Sequence, residues 1–233
     1  MVLSAITDSR KRQRGCALTF ALLALLLVAI LIEDGRGQEK SPEDIDYLRV
    51  TNERAQKIVS RLGLTESAKG NRVRDQIAGL YRDLNAIHFK RDSELKSANE
   101  LNSNDQGTRE VSIAMVRSET ESQQFRLHYA FLGRLAAELN GDEIDQVKNG
   151  LTYDVVPKTY QQYLKLHPKM TAEQQRTIHA LLLEAREHAM DAGSSEEKHG
   201  LFGKYKGRIN NYLSAEGYDA KQAERDLKTR QEK

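Results

Sequence analysis

The chain contains no tryptophan and a single cysteine among its 233 residues. Cys16 lies in an N-terminal segment that we expect to be removed, so the rest of the protein can form neither disulfides nor a thiol-based active site. Stability must then come from packing, which the remaining ~196 residues can provide within one domain. The missing tryptophan also removes the side chain that most often stacks on sugar rings.

Several motifs of catalytic and metal sites are absent as well. The sequence has no Ser–His–Asp order, no glycine-rich phosphate loop and no zinc-ligand spacing. Glu196 and His199 have the Glu-x-x-His spacing of di-iron helical bundles, but such a site takes two copies and the sequence has one. We therefore expect no metal and no cofactor.

The N-terminal segment has the pattern of an export signal. Four basic residues within 10–14 precede an apolar run, residues 16–32, that carries no charge. We expect cleavage before Gln38, which makes residues 1–37 a signal peptide and residues 38–233 a single exported domain, periplasmic or secreted. Retention of the run as an inner-membrane anchor is the alternative, because 17 apolar residues are close to the length of a membrane span.

Removal of that segment makes the chain formally neutral. The first 37 residues hold five basic and three acidic side chains, which leaves 31 of each in the remainder. A broad basic surface is not expected, so we predict no nucleic-acid partner.

Apolar residues recur at helical spacing through most of the remaining chain. Residues 149–157 are the least helical part and are predicted to form an irregular, extended crossover, and the charged tail, residues 219–233, is predicted to be a frayed helix. The pattern indicates an all-α bundle of about five to six helices. The predicted helices cover residues 41–62, 65–101, 108–139, a short stretch around 160–164, 172–192 and 196–215.

The helix predicted over residues 108–139 has a single periodic apolar set, which we expect to face the core. Its members are Val111, Met115, Phe125, Tyr129, Leu132, Leu135 and Leu139.

The last long helix carries Gly200, Gly203 and Gly207 on the side opposite its apolar face. Each glycine costs roughly 1 kcal/mol relative to alanine inside a helix, so three of them need a reason. Three explanations are open. Another segment could cross closely over this side, a flat ligand could lie against the exposed backbone, or one of the glycines could break the helix. Before this helix, Gly193 is predicted to be left-handed and Ser194 or Ser195 to be the N-cap.

Residues 153–160, 185–195 and 202–213 resemble an uncharacterised family of exported bacterial proteins, catalogued as domain of unknown function 3826. The resemblance covers roughly the whole chain after the signal and is most specific after Glu184. It implies an exported helical domain that is described as sugar-binding and is often met in bacteria that degrade complex polysaccharides. The resemblance identifies no catalytic residues in this sequence.

Tyrosine, which can stack on a sugar ring and hydrogen-bond its hydroxyls, is concentrated in the second half of the chain. With nearby basic and amide side chains it suits a polysaccharide or oligosaccharide with acidic groups, so we predict an accessory, non-catalytic glycan-binding protein. Tyr205 and Tyr212 also fit half-buried core positions. The candidate ligand-binding residues are His199, Gly203, Lys204, Tyr205, Lys206, Gly207, Arg208, Asn210, Asn211 and Tyr212.

Two other functions fit parts of the sequence. A polysaccharide hydrolase or lyase could use Glu184, Glu187 and Asp191 as carboxylates, with His188 and His199 as proton carriers. Such a stripe of acids is also typical of a solvated helix face. Long amphipathic helices would equally suit a periplasmic scaffold or a chaperone-like protein.

Overall fold

The structure, a computed structural model, describes residues 42–101 and 105–231 as helices joined by short turns, with no strand in those ranges. The predicted signal peptide, residues 1–37, lies outside the described residues. The chain divides into two units, residues 1–45 and residues 46–233, and of the first unit only the first residues of α1 are described. The helices are α1 Pro42–Val59, α2 Ser67–Leu101, α3 Gln106–Ala136, α4 Gly141–Leu151, α5 Val155–Leu166, α6 Ala172–Met190, α7 Ser195–Ala215 and α8 Ala220–Gln231.

The all-α prediction is confirmed, but five to six helices is too few. Eight are present in the described part of the chain, and the short helices α4 and α8 account for the difference. The sequence marks the start of α4 clearly, because Asn140 accepts a bond from the Glu143 amide while the Glu143 carboxylate accepts one from the Asn140 amide. The charged tail contributes α8, whose Ala223 is buried.

The irregular crossover between α4 and α5 is much shorter than predicted. It consists of three residues, 152–154, of which Tyr153 and Asp154 have left-handed φ angles of 59° and 57°. Residues other than glycine rarely adopt this conformation. Asp154 is held there by Arg61 of the α1–α2 turn, whose guanidinium donates to both carboxylate oxygens at 3.0 and 2.9 Å.

Two hydrophobic clusters form the interior. The first joins α1 to α4 around Ile77, Phe131 and Leu135, and the second joins α5 to α7 around Leu182 and Phe202. α6 belongs to the second cluster except at its last residue, Met190, which packs into the first. The C-terminal end of α6 is therefore where the two clusters meet.

The apolar face predicted for α3 is wrong in its first half. Val111, Met115, Phe125 and Tyr129 are 59–68% exposed. The side of α3 that faces inward carries polar residues instead, since Thr120 and His128 are buried, and only from Phe131 onward does the buried side become apolar. α2 shows the same reversal, because His88 is buried while its neighbour Phe89 is 76% exposed.

The glycine side of α7 is open to solvent. The helix runs without interruption from Ser195 to Ala215, so no glycine breaks it. A Cβ atom added at Gly200, Gly203 or Gly207 would meet no described atom within 4 Å, so the explanation by close helix packing is also wrong.

No helix in the described ranges is both long and apolar enough to cross a membrane.

Glycine substitutions should separate open from closely packed positions. Gly203→Ala and Gly207→Ala should each raise the free energy of unfolding by up to about 1 kcal/mol, because they remove helix-disfavouring glycines without contacting anything. Gly150→Ala should lower it by about 1–3 kcal/mol, because the new Cβ would lie 2.9 Å from the Ile58 side chain within the first cluster. Chemical denaturation followed by circular dichroism measures both effects. Destabilisation by the α7 variants would contradict the open position of that helix face.

Candidate functional site

A groove of about 710 Å³ lies between the α2–α3 helix pair and the corner where α6 passes into α7. We call it the corner groove. Its α2–α3 side is lined by His88, Arg91, Glu121, Gln124 and Phe125. Its other side is lined by His188, Asp191, Ala192, Glu197, Gly200, Leu201 and Lys204.

Asp191, at the end of α6, connects the two sides of the groove. Its backbone carbonyl lies 2.7 Å from His88 Nε2 and accepts a second bond from the Gln124 amide at 2.9 Å. Because a carbonyl group can only accept, His88 Nε2 carries a proton. His88 Nδ1 is buried and has no hydrogen-bond partner in the described part of the chain.

Position 193 requires a glycine because the His88 ring packs against it, and not because the backbone there is left-handed. The prediction of a left-handed Gly193 is wrong, since among the described glycines positive φ occurs at Gly63 and Gly217. A Cβ atom at Gly193 would lie 2.7 Å from His88 Cγ, which is closer than real Cβ contacts. The absence of a side chain therefore lets the imidazole reach the Asp191 carbonyl. The predicted N-cap is confirmed at Ser194, whose hydroxyl accepts a bond from the Glu197 amide.

A partly buried cluster of charges surrounds His128, which is itself buried. The Asp191 carboxylate is 2.9 Å from His128 Nδ1, and the Glu187 carboxylate is 3.6 Å from His128 Nε2. Hydrogen bonds to Asp191 and then to Glu187 raise the pKa of His128 to about 9, although burial opposes this. The imidazole is therefore protonated at neutral pH and joins α3 to the last two turns of α6.

Glu187 is the most heavily paired carboxylate of this cluster. It accepts a bond from Lys148 at 2.8 Å and from the buried Arg186 at 3.2 Å, and Arg186 also binds Asp145 at 2.7 Å. Burial alone would raise the pKa of Glu187, but the hydrogen bonds from His128 and Lys148 lower it to about 2. Glu187 is thus ionised at physiological pH, which does not suit the general acid of a glycoside hydrolase.

The side chain of Lys198 caps the C-terminal ends of α4 and α6. Its ammonium group is buried and donates to the carbonyl groups of Leu151 and Met190 at 3.3 and 3.2 Å. These are last-turn carbonyls of α4 and α6, which have no partner within their own helices. Burial lowers the pKa of Lys198 to about 8. No sequence pattern indicates this role, because the acceptors are main-chain atoms, one of them 47 residues away.

The predicted ligand-binding residues do not form one site. Among the ten, Lys204 lines the corner groove, whereas Lys206 and Asn210 line a separate groove on the other side of α7. Gly203 and Gly207 lie on the exposed helix surface between the two, and Asn211 is also exposed. His199 stacks on Tyr153, with ring centroids 5.6 Å apart.

The predicted aromatic residues of α7 are engaged within the protein. Tyr205 is buried, and its hydroxyl donates to Glu184 at 2.7 Å. Arg208 lies over the Tyr205 ring at 4.6 Å and reaches Glu184 at 3.3 Å. Tyr212 is partly buried against the second hydrophobic cluster. The ring of Tyr205 is therefore not available as a sugar-stacking surface.

In the ranges that the structure describes, no group of three His, Cys, Asp or Glu side chains is placed to hold a metal ion.

Comparison with known proteins gives a family and no function. The model of a family described as "Protein of unknown function (DUF3826)" matches residues 48–232, which is most of the chain, and the chain belongs to this family. A search of curated proteins found no significant match.

His128 should make stability depend on pH. Its pKa is raised above the unfolded value of about 6.5, so its contribution is complete below that pH and is lost as the pH rises through about 9. The free energy of unfolding should therefore fall over this range by up to about 3 kcal/mol more in the wild type than in His128→Gln. Denaturant titrations at several pH values measure the difference between the two proteins. Equal slopes would show that folding does not raise the pKa of His128.

Proposed function

We propose that this member of the DUF3826 family is an exported, non-catalytic accessory protein that binds an acidic oligosaccharide or polysaccharide in the corner groove. The observation that carries the proposal is an exposed aromatic ring, Phe125, opposite a cation, Lys204, across a groove of about 710 Å³. That volume is within the range of ordinary ligand sites.

Phe125 offers an exposed aromatic surface on which a sugar ring can stack. Its side chain is 63% exposed, and its ring lies 4.5 Å from that of Tyr129, which is 59% exposed. Burying a phenylalanine side chain stabilises a protein by roughly 1.5–3 kcal/mol relative to leaving it exposed, and Phe125 does not contribute this stabilisation. The apolar face of a sugar ring could cover this surface, while neighbouring polar groups bind its hydroxyls.

Lys204 is the position in the groove where an anion can bind. Asp191 is paired with His128, and Glu197 shares Arg91 with Asp92. Lys204 forms no salt bridge within the described residues and can receive a sugar carboxylate. Glu121, on the opposite side, has no cationic partner in the same ranges and can accept a hydrogen bond from a sugar hydroxyl.

Gly200 supports access to this end of the groove. It lines the groove and lies one helical turn before Lys204, and a Cβ there would meet no described atom within 4 Å. A ligand can therefore approach the α7 backbone without displacing a side chain.

Calorimetric titration with a galacturonate trisaccharide tests the proposal. Binding should weaken about tenfold in Phe125→Ala, which removes the stacking ring, and in Lys204→Gln, which removes the cation. An uncharged trisaccharide of glucose should bind more weakly than the galacturonate.

Two variants serve as controls. Met115→Ser changes another exposed apolar residue of α3, and Lys165→Gln changes an exposed cation of α5 that does not line the corner groove. Neither should alter the affinity for the trisaccharide. No measurable binding of either sugar to the wild type, or an equal loss in the controls, would reject the corner groove as a glycan site.

A further inference from the structure

A second groove of about 330 Å³ lies between α5, α7 and α8. We call it the tail groove. α5 and the turn after it contribute Tyr163 and His167, α7 contributes Lys206 and Asn210, and α8 contributes Glu224. All of these residues belong to the compact unit of residues 46–233.

His167 is a buried polar side chain without a hydrogen bond in the described part of the chain. It is 6% exposed, and its ring packs edge-on against Tyr218 with centroids 5.0 Å apart. Neither ring nitrogen has a hydrogen-bond partner among the described residues, and neither is sealed from solvent, so both can meet a ligand. The imidazole also borders two adjoining cavities under α8, so it is next to open space that a ligand can occupy.

The state of this imidazole suits a ligand with hydroxyl groups. Burial lowers the pKa of His167, so the ring is neutral at pH 7. A neutral imidazole presents one donor and one acceptor nitrogen, and a hydroxyl group can bind to either.

Asn210 and Lys206 provide unused donors on the opposite wall. The Tyr163 hydroxyl donates to Asn210 Oδ1 at 2.8 Å, which fixes the amide so that its nitrogen is left to donate elsewhere. The Lys206 ammonium forms no salt bridge within the described ranges. Lys158, also at the edge of the groove, donates to the Tyr153 carbonyl at 3.0 Å. The two ammonium groups outweigh the charge of the Glu224 carboxylate, so the groove favours an anion.

The size of the groove limits the ligand. A volume of 330 Å³ is about eleven times the 30 Å³ that a water molecule occupies in the liquid, which leaves space for about a dozen non-hydrogen atoms. We propose that the tail groove, lined by His167, Asn210 and Lys206, binds a small hydroxylated anion the size of one sugar ring, either a sugar carboxylate or a sugar phosphate. This site is independent of the glycan proposed for the corner groove.

NMR titration of the full chain in detergent, with its histidine side chains labelled with ¹⁵N, tests this site. The three probes are glucuronate, glucose 6-phosphate and glucose. We expect the His167 nitrogen resonances to shift in a saturable manner with at least one of the two anions and not with glucose. Comparison of the two anions distinguishes the carboxylate from the phosphate.

Two exposed lysines on α7 provide a matched pair of variants. Lys206→Gln should weaken binding at His167 about tenfold, because it removes a cation of the tail groove. Lys204→Gln, two residues away and facing the corner groove, should leave that binding unchanged. Both side chains are exposed, so neither variant should unfold the protein.

Three results would overturn the proposal. The first is the lack of a saturable His167 shift with either anion, and the second is an equal response to glucose. The third is a loss of binding in Lys204→Gln but not in Lys206→Gln, which would place the ligand in the corner groove. Failure of trisaccharide binding at the corner groove would leave the tail groove unaffected.

Discussion

The carbonyl groups at the end of α6 are the constraint on which the arrangement of the other helices depends. These groups have no partner within their own helix, and a buried carbonyl group without one is costly. The Met190 carbonyl accepts from Lys198 of α7, and the Asp191 carbonyl accepts from His88 of α2 and Gln124 of α3. Three helices are thereby fixed at one point, and this is the point where the two hydrophobic clusters meet.

The same constraint explains why α2 and α3 expose aromatic rings. To reach the end of α6, His88, Gln124 and His128 must occupy inward-facing positions. Neighbouring residues on a helix point about 100° apart, so Phe89, Phe125 and Tyr129 are turned toward solvent. The corner groove therefore combines a polar floor with an aromatic edge. A local conflict between hydrophobicity and burial of this kind is typical of functional sites, which is why we place the ligand there.

Local rules predicted much of the fold but little of the site. Ser194 was recognisable as a helix cap, and the apolar spacing predicted helices over residues 172–192 and 196–215, where α6 and α7 lie. The partners of Asp191 were not recognisable, because His128 is 63 residues away and His88 is 103 residues away. The sequence does contain one indication of the polar inward side of α3. Thr120, Gln124 and His128 repeat every fourth residue, which is the spacing of one helix face. A polar stripe beside an apolar one gives two possible buried faces, and periodicity alone cannot choose between them.

α7 separates the two grooves by its geometry alone. Lys204 and Lys206 are two residues apart, so their side chains diverge by about 200° around the helix axis and reach opposite grooves. The side of α7 that packs inward carries Phe202, Tyr205 and Ile209, so rotation of the helix would expose these side chains to water. A ligand in one groove can alter the other only by moving this shared wall. Since the wall is fixed by buried side chains, we expect the two sites to bind independently.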